Sequence, residues 1–381
     1  MMIRSNTTYK WRIELLRKHG KIGEAKFKSC TIDFVENADV MRTMKAKIPV
    51  DGFEVINAKL RQTEDIIYFD GSRSFDGSWS FTSINGIWIA SANEFDLFSD
   101  RLRPVMTIND VDYDFGEFMI VAAPVEDDGK EYCYNIEAYD ETMMLKQSAL
   151  TSRLFFAKRT NYLSVISSLI ANCGITRINY DDKFNYKTNI DHEFAVGTSY
   201  LSIINQLLDE INFAHAHAGE NGYIYLEQNE TKIVADYVYD DNNSTLIDSI
   251  RKDTDIYSLP NVIVGYTSSP DALTSMRYQR TNSSPGSAIS TVRRGYNVVE
   301  TIELSDCPDM ETLRAVVNNR YNQATMATET ATVVTMPDGN HMYGSFVSIG
   351  ENGLNELYRE VGWSIEFGGH MTHNLERRVA I

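Results

Sequence analysis

The chain has 381 residues, with 36 Lys and Arg against 53 Asp and Glu and a formal net charge of −17. Hydrophobic residues make up 43% and charged residues 23%, a globular balance that excludes wholesale disorder, collagen-like and coiled-coil classes and predicts about two to four domains. So acidic a chain is a poor sequence-independent DNA binder, which needs Lys and Arg on phosphates, and a poor ligand for anionic membranes.

The 21 Tyr and 17 Phe beside 8 Pro favour β-structure. No apolar run is long enough for a transmembrane helix. The N-terminus, Met1 to Asn6 running into Tyr9–Arg17, lacks the apolar core of a signal peptide, so the chain is expected to stay in the cytoplasm when made. Cys30, Cys133, Cys173 and Cys307 form no CxxC pair and read as reduced, buried small side chains.

In chain order, Tyr9–Arg17 sets Trp11, Ile13 and Leu15 against Arg12, Glu14 and Leu16, a strand pattern. A turn at Lys18-His19-Gly20-Lys21 and strands near 24–35 and 41–50 follow. Residues 66–90 are aromatic and contain a tandem duplication, Asp70 to Phe75 and then Asp76 to Phe81, each opening on an Asp-Gly turn. Strands are predicted at 103–109, 113–123 and 131–139, the last two joined by the hairpin turn Asp127-Asp128-Gly129-Lys130.

The middle changes character. Thr160 is the expected N-cap of a helix carrying Leu163, Ile166, Leu169 and Ile170, with Gly174 as its stop. A second helix from near Thr198 carries Leu201, Ile204, Leu207, Leu208 and Ile211, and 175–197 links the two. Phe213–Ala218 and Tyr223–Gln228 flank a Glu220-Asn221-Gly222 turn and read as a hairpin. Beyond it come a strand at Asn261–Tyr266, a polar loop at Pro285-Gly286-Ser287, a helix at 308–324, and strands at 329–336, 344–349, 361–367 and from His373 to the end.

The predicted class is therefore mainly β (α+β). Residues 1–150 form an N-terminal β-barrel or sandwich with a loop insertion over 51–99. Residues 151–249 form a small α+β domain, and 250–381 a C-terminal β-barrel with one helix. Charge is uneven: residues 1–50 hold eleven Lys/Arg against five Asp/Glu, whereas 201–250 hold one against nine. This predicts solvated surface charge or a basic end that docks on an acidic partner.

No GxSxG, P-loop, GxGxxG, HExxH or EF-hand pattern is present. His215 and His217 have metal-ligand spacing on a strand, and His370 and His373 sit beside Gly368-Gly369, but neither pair has third and fourth ligands nearby in sequence. Asp70, Ser72, Ser74 and Asp76 loosely match a calcium loop without its late Glu. The acidic pairs Glu126/Asp127/Asp128 and Asp209/Glu210 fall in turns or at a helix end, where solvated charge is normal. Arg293-Arg294 and Arg377-Arg378 could bind phosphate, but in so acidic a chain they read first as surface or inter-subunit salt bridges. No catalytic, cofactor or metal site is predicted.

Two stretches carry a resemblance. Asp100-Arg101-Leu102-Arg103-Pro104-Val105, Phe115-Gly116-Glu117-Phe118, Glu137-Ala138-Tyr139-Asp140 and Thr160-Asn161-Tyr162 succeed one another; Pro260-Asn261-Val262-Ile263-Val264-Gly265 and Arg293-Arg294-Gly295 follow. This order resembles the baseplate hub proteins of phage tails and phage-tail-like particles, over roughly 9–381. Lys158-Arg159 before Thr160 departs from the family pattern, and 66–98 has no counterpart in it.

The resemblance implies two tail-tube-like β-barrel domains joined through a small α/β domain, and no enzyme activity. Three chains would form a pseudo-sixfold ring joining the hexameric tail tube to the trimeric spike or tip. Implied partners are two further copies, the tube protein, the spike or tip protein, other baseplate proteins and a tape-measure protein in the lumen. DNA would pass without specific binding, through an acidic bore, and nothing would insert in a membrane. The implied location is the virion or a bacteriocin-like tail, assembled in the host cytoplasm.

Two other classes compete. A tail-tip cell-wall hydrolase, glycosidase or peptidase, would need a catalytic module, and none is expected after the last strand. A carbohydrate-binding adhesin could use Trp79, Phe81 and Trp88, though aromatics of this kind commonly fill hairpin cores.

Overall fold

Alternation of apolar and polar residues builds a sheet wherever a run of it finds a partner. The computed structural model describes residues 7–36, 38–55, 83–84, 87–88, 95–127, 129–180, 185–229, 234–239, 246–252, 258–268, 275–324, 327–339, 341–349 and 356–379. Tyr9–Arg17 pairs antiparallel along its length with Arg101–Ile108, from Tyr9↔Ile108 to Leu16↔Arg101. It turns through Lys18 and His19, at φ 47° and 66°, into Gly20–Ala25, the backbone that a two-residue hairpin loop requires.

The N-terminal strands lie in the order Ser29–Val35, Arg42–Pro49, Tyr132–Asp140, Phe118–Ala122, Arg101–Ile108, Tyr9–Arg17, Gly20–Ala25 and Phe53–Val55. The run expected over 113–123 divides into Val111–Asp114 and Phe118–Ala122, because Gly116 takes φ 109° between them. Phe53, on the last strand, reaches Tyr134 on the third with ring centroids 5.9 Å apart. The sheet has thus curled into a barrel-like layer around one core, which includes Leu15, Ile32, Met44, Leu102, Phe118 and Ile136.

Helices Tyr162–Asn172 and Tyr200–Glu210 pack their buried faces into a second core with Ile224 and Leu226. The first cap is Asn161, whose side chain accepts from the Ser164 amide; Thr160 lies one residue too early and donates its hydroxyl to the Ala157 carbonyl instead. Ser199 caps the second helix. The supposed linker 175–197 supplies two strands: Ile178–Tyr180 runs parallel to Ile224–Leu226, and His192–Phe194 pairs with Leu154–Phe156.

The sequence-based division at 250 differs from the packing. Tyr237–Tyr239 pairs with Phe346–Ile349, and Leu246–Lys252 with Ala327–Thr335, so both belong to the C-terminal sheet. A local pattern announces a strand but not its distant partner. Among the described residues of 250–381, two cores lie apart from the N-terminal one. Val262–Thr267 lies between Arg277–Thr281 and Val299–Leu304 in a three-stranded sheet under the helix Met310–Ala324. A Cβ on Gly265 would sit 2.4 Å from Val317, so glycine permits this helix to approach. The other core, with Val333, Val347, Tyr358 and Leu375, belongs to Ala327–Thr335, Phe346–Ile349, Glu356–Glu366 and Met371–Val379. A short extra helix, Thr291–Arg294, joins the one expected.

Candidate functional site

Strand Glu356–Glu366 pairs antiparallel with Ser29–Val35, so the N- and C-terminal lobes share one continuous sheet. The register runs Gly362↔Val35, Trp363↔Phe34, Ser364↔Asp33, Ile365↔Ile32 and Glu366↔Thr31. The Glu36 amide donates to the Val361 carbonyl at one end, and the Phe367 amide to the Cys30 carbonyl at the other. On the buried side Trp363 stacks on Phe34, and Phe367 packs 4.4 Å from Trp11. Arg359 pairs with Glu36 across the seam. Burying each large side chain contributes about 1.5–3 kcal/mol, so hydrophobic contact reinforces the ladder.

Arg42 ties this seam to the α+β unit. It is 2% exposed. Its amide donates to Asp140 at 2.9 Å and its Nη1 to the Phe115 carbonyl at 3.0 Å. Its guanidinium lies 6.0 Å from the Trp363 ring centre and 3.7 Å from the Glu220 carboxylate. Burial pushes Glu220 up to about 7, against the pull of Arg42. Burial likewise raises Asp140, with Thr142 and the Arg42 amide opposing.

The other face of the sheet is polar. Alternation turns Ser29, Thr31 and Asp33 to that side on one strand, Thr43, Lys45 and Lys47 on the next, and Ser364, Thr372, Asn374, Thr330 and Thr332 across the seam. Thr31, Lys45, Lys47, Asn135 and Glu137 border a groove of about 400 Å³ there. Lys45 stands in register with Glu137 and Lys47 with Asn135, so this face carries charge of both signs.

The sequence candidates scatter. His215 is exposed beside Asp209 at 3.2 Å, whereas His217 is buried, stacked 4.1 Å from Tyr343; the pair does not converge. Burial holds His217 down to about 4. Asp209 and Glu210 also part company, since Glu210 is buried against His192 at 3.0 Å. Arg294 donates to the Leu259 carbonyl, and Arg377 pairs with Glu329 and Glu356. Val125–Asp127 is exposed on its strand. The duplicated turns over Asp70–Phe81, with Trp79, lie outside the described residues; Trp88 ends a two-residue strand facing Ser83–Ile84. All four cysteines are free, with Cys173 only partly buried. No helix among the described residues is long and apolar enough to cross a membrane.

Among the described residues, three clusters that sequence reading missed bring His and carboxylates within 4.8 Å of one another. Their members lie far apart in the chain, so no spacing signals them. His373 does enter one, with His341 and Glu360: each imidazole Nδ1 is 2.6 Å from a Glu360 oxygen, and the Nε2 atoms meet the Tyr239 and Thr335 hydroxyls. Every ring nitrogen there has a partner. In the second, His192 and Glu210 lie beside Asp306, which accepts from Tyr162 and the Asn189 amide. The third joins His19, Glu117 and Glu141. Glu117 accepts from Arg177 at 3.0 Å and lies 2.6 Å from His19 Nδ1. Burial would raise Glu117, but His19 and Arg177 hold it below the usual carboxylate range; burial raises Glu141.

No family model and no curated relative matches the sequence, whereas solved structures do. The tail protein from Neisseria meningitidis MC58 aligns with a TM-score of 0.62 at 10% identity, over 97% of this chain and 97% of that one. The 43 kDa tail protein of prophage MuSo2 from Shewanella oneidensis aligns with a TM-score of 0.56 at 10% identity, over 96% and 98%. A chain of the Francisella PdpA–VgrG complex aligns with a TM-score of 0.52 at 7% identity, over 99% of this chain and 54% of that one. The chain thus carries a tail-protein fold, mainly β with α+β character, along nearly its whole length.

Proposed function

We propose that the chain is the structural baseplate hub of a phage or phage-like tail. Three copies would close a ring whose six sheet lobes match a hexameric tail tube on one side and a trimeric spike or tip on the other. The observation that carries the reading is the strand pair Ser29–Val35 with Glu356–Glu366, which runs one sheet through two lobes of a single chain. A closed cylinder has no exposed strand edges to manage, and two lobes joined edge to edge supply one third of such a cylinder.

The whole-length likeness to tail proteins supports the same reading. In it the hub works by shape and does not turn over a substrate. The polar face with Thr31, Thr43, Lys45, Asn374 and Ser364 lines the bore. A tape-measure protein or DNA passes because the face is mostly uncharged and polar, with Lys45 offset by its register partner Glu137, not because it is strongly acidic. Division into tube-like lobes and a linking α+β unit, assembly with tube, spike and other baseplate proteins, and residence in the virion or tail-like particle belong to this proposal. Electron microscopy of the purified chain mixed with its tube protein tests it: rings capping tube ends support the reading, and a chain that neither forms rings nor binds tube opposes it.

A further inference from the structure

The geometry points to a binding site for one divalent transition-metal ion, of the Zn²⁺ class, formed by His19, Glu117 and Glu141 where the N-terminal sheet meets the α+β unit. The register Phe118↔Asp140 sets Glu117 and Glu141 side by side, one residue beyond the paired strands. His19 projects from its hairpin turn to within 2.6 Å of the Glu117 carboxylate. One imidazole nitrogen and two carboxylate oxygens lie within 4.8 Å of one another.

An independent observation singles out this cluster. Glu141 is 5% exposed, and its Oε2 is buried without a hydrogen-bond partner. The nearby arginines donate elsewhere: Arg101 to the Ser99 and Asp100 carbonyls, Arg177 to Glu117 and the Asn221 carbonyl. A buried carboxylate oxygen with no donor is costly. A cation between the three groups takes that oxygen as a ligand.

The donor set selects the ion. An imidazole with carboxylates suits Zn²⁺, Mn²⁺ or Fe²⁺, whereas Mg²⁺ and Ca²⁺ favour oxygen ligands throughout. His19 is partly exposed, which leaves an entry path, and a site of this class takes water as its fourth ligand. The far side is sealed: a Cβ on Gly222 would lie 3.0 Å from Glu117 Cδ and 3.2 Å from Arg177 Nη1. An ion here would therefore brace the sheet against the Asn221-Gly222 turn of the α+β unit.

The test uses the full chain after EDTA treatment, titrated with Zn²⁺ by calorimetry and with Co²⁺ by visible absorption, beside thermal unfolding. The expected result is one ion per chain, Co²⁺ bands in the visible, and a Tm that rises with Zn²⁺ but not with Mg²⁺. E141Q keeps the shape of the side chain, and H19N suits the positive φ of the turn. Each should fold and lose at least about tenfold in Zn²⁺ affinity, while H215Q, at an exposed histidine, binds as the parent does. An absence of binding, or binding unchanged in both E141Q and H19N, overturns the assignment.

Discussion

Trp363 stacks on Phe34 across the strand pair that joins the two lobes, with ring centroids 5.8 Å apart and planes 27° from parallel. Residues from the two ends of the chain thus share a core that neither lobe could fill alone: Trp363, Ile365 and Met371 sit in one cluster with Ile32, Phe34 and Met44. The lobes are expected to unfold together.

Replacing Trp363 by Ala should cost about 3–5 kcal/mol, as for other buried aromatics. Urea unfolding measures it. Phe155→Ala, at a side chain that is 59% exposed, should stay within about 0.5 kcal/mol of the parent. A small loss at Trp363 would mean that the seam is held by its backbone ladder alone.

Arg42 makes a second link, and its removal is asymmetric. Arg42→Met leaves Glu220, pushed up to about 7 by burial, without its nearest cation, so at pH 8 and above, where that carboxylate would be stranded, the loss should be about 3–5 kcal/mol. Adding Glu220→Gln should recover part of that loss, because the stranded charge goes with it; a double-mutant cycle reads the coupling.

His217 makes stability depend on pH. Burial lowers its folded pKa to about 4, below the unfolded value of about 6.5. Between those values the unfolded chain binds a proton that the folded chain refuses, so stability falls as pH falls. His217→Phe keeps a ring against Tyr343 and removes the titration. The parent's advantage over the variant should be about 2 kcal/mol smaller at pH 5 than at pH 7, measured by urea unfolding at both. An advantage that does not change with pH would show that His217 titrates normally.

Much of the fold is legible locally. The helices at Tyr162–Asn172 and Tyr200–Glu210 announce themselves through apolar spacing, although their caps, Asn161 and Ser199, each lie one residue past the Thr that the sequence suggests. The Asn221-Gly222 turn is legible because φ 73° at Gly222 is what such a turn needs. The seam is not. Phe34 and Trp363 are distant in sequence, and nothing in either strand names the other. A register shift between Glu360 and Gly362 also breaks the alternation, leaving Gly362 and Trp363 both buried. The partners of Tyr237–Tyr239 and Leu246–Lys252 in the C-terminal sheet are hidden for the same reason. The clusters around Glu117, Glu210 and Glu360 form only when separate elements meet, whereas the spaced pair His215/His217 diverges because one side chain faces solvent and the other the core.

The polar face makes a prediction about traffic. Thr31→Trp places a large ring on the face that would line the bore, without touching the buried side of its strand. The isolated chain should keep its Tm and its ring. Tails carrying the variant should assemble and then lose ejection, scored as infective or killing titre. An unchanged titre would move the bore to another face.

Native mass spectrometry of the assembled particle component, with projection images of the same sample, separates the hub from its rivals. The expected result is a mass of three chains and a hollow ring with six lobes around its axis. A stable monomer, or an assembly whose lobes do not alternate around a common axis, would contradict it.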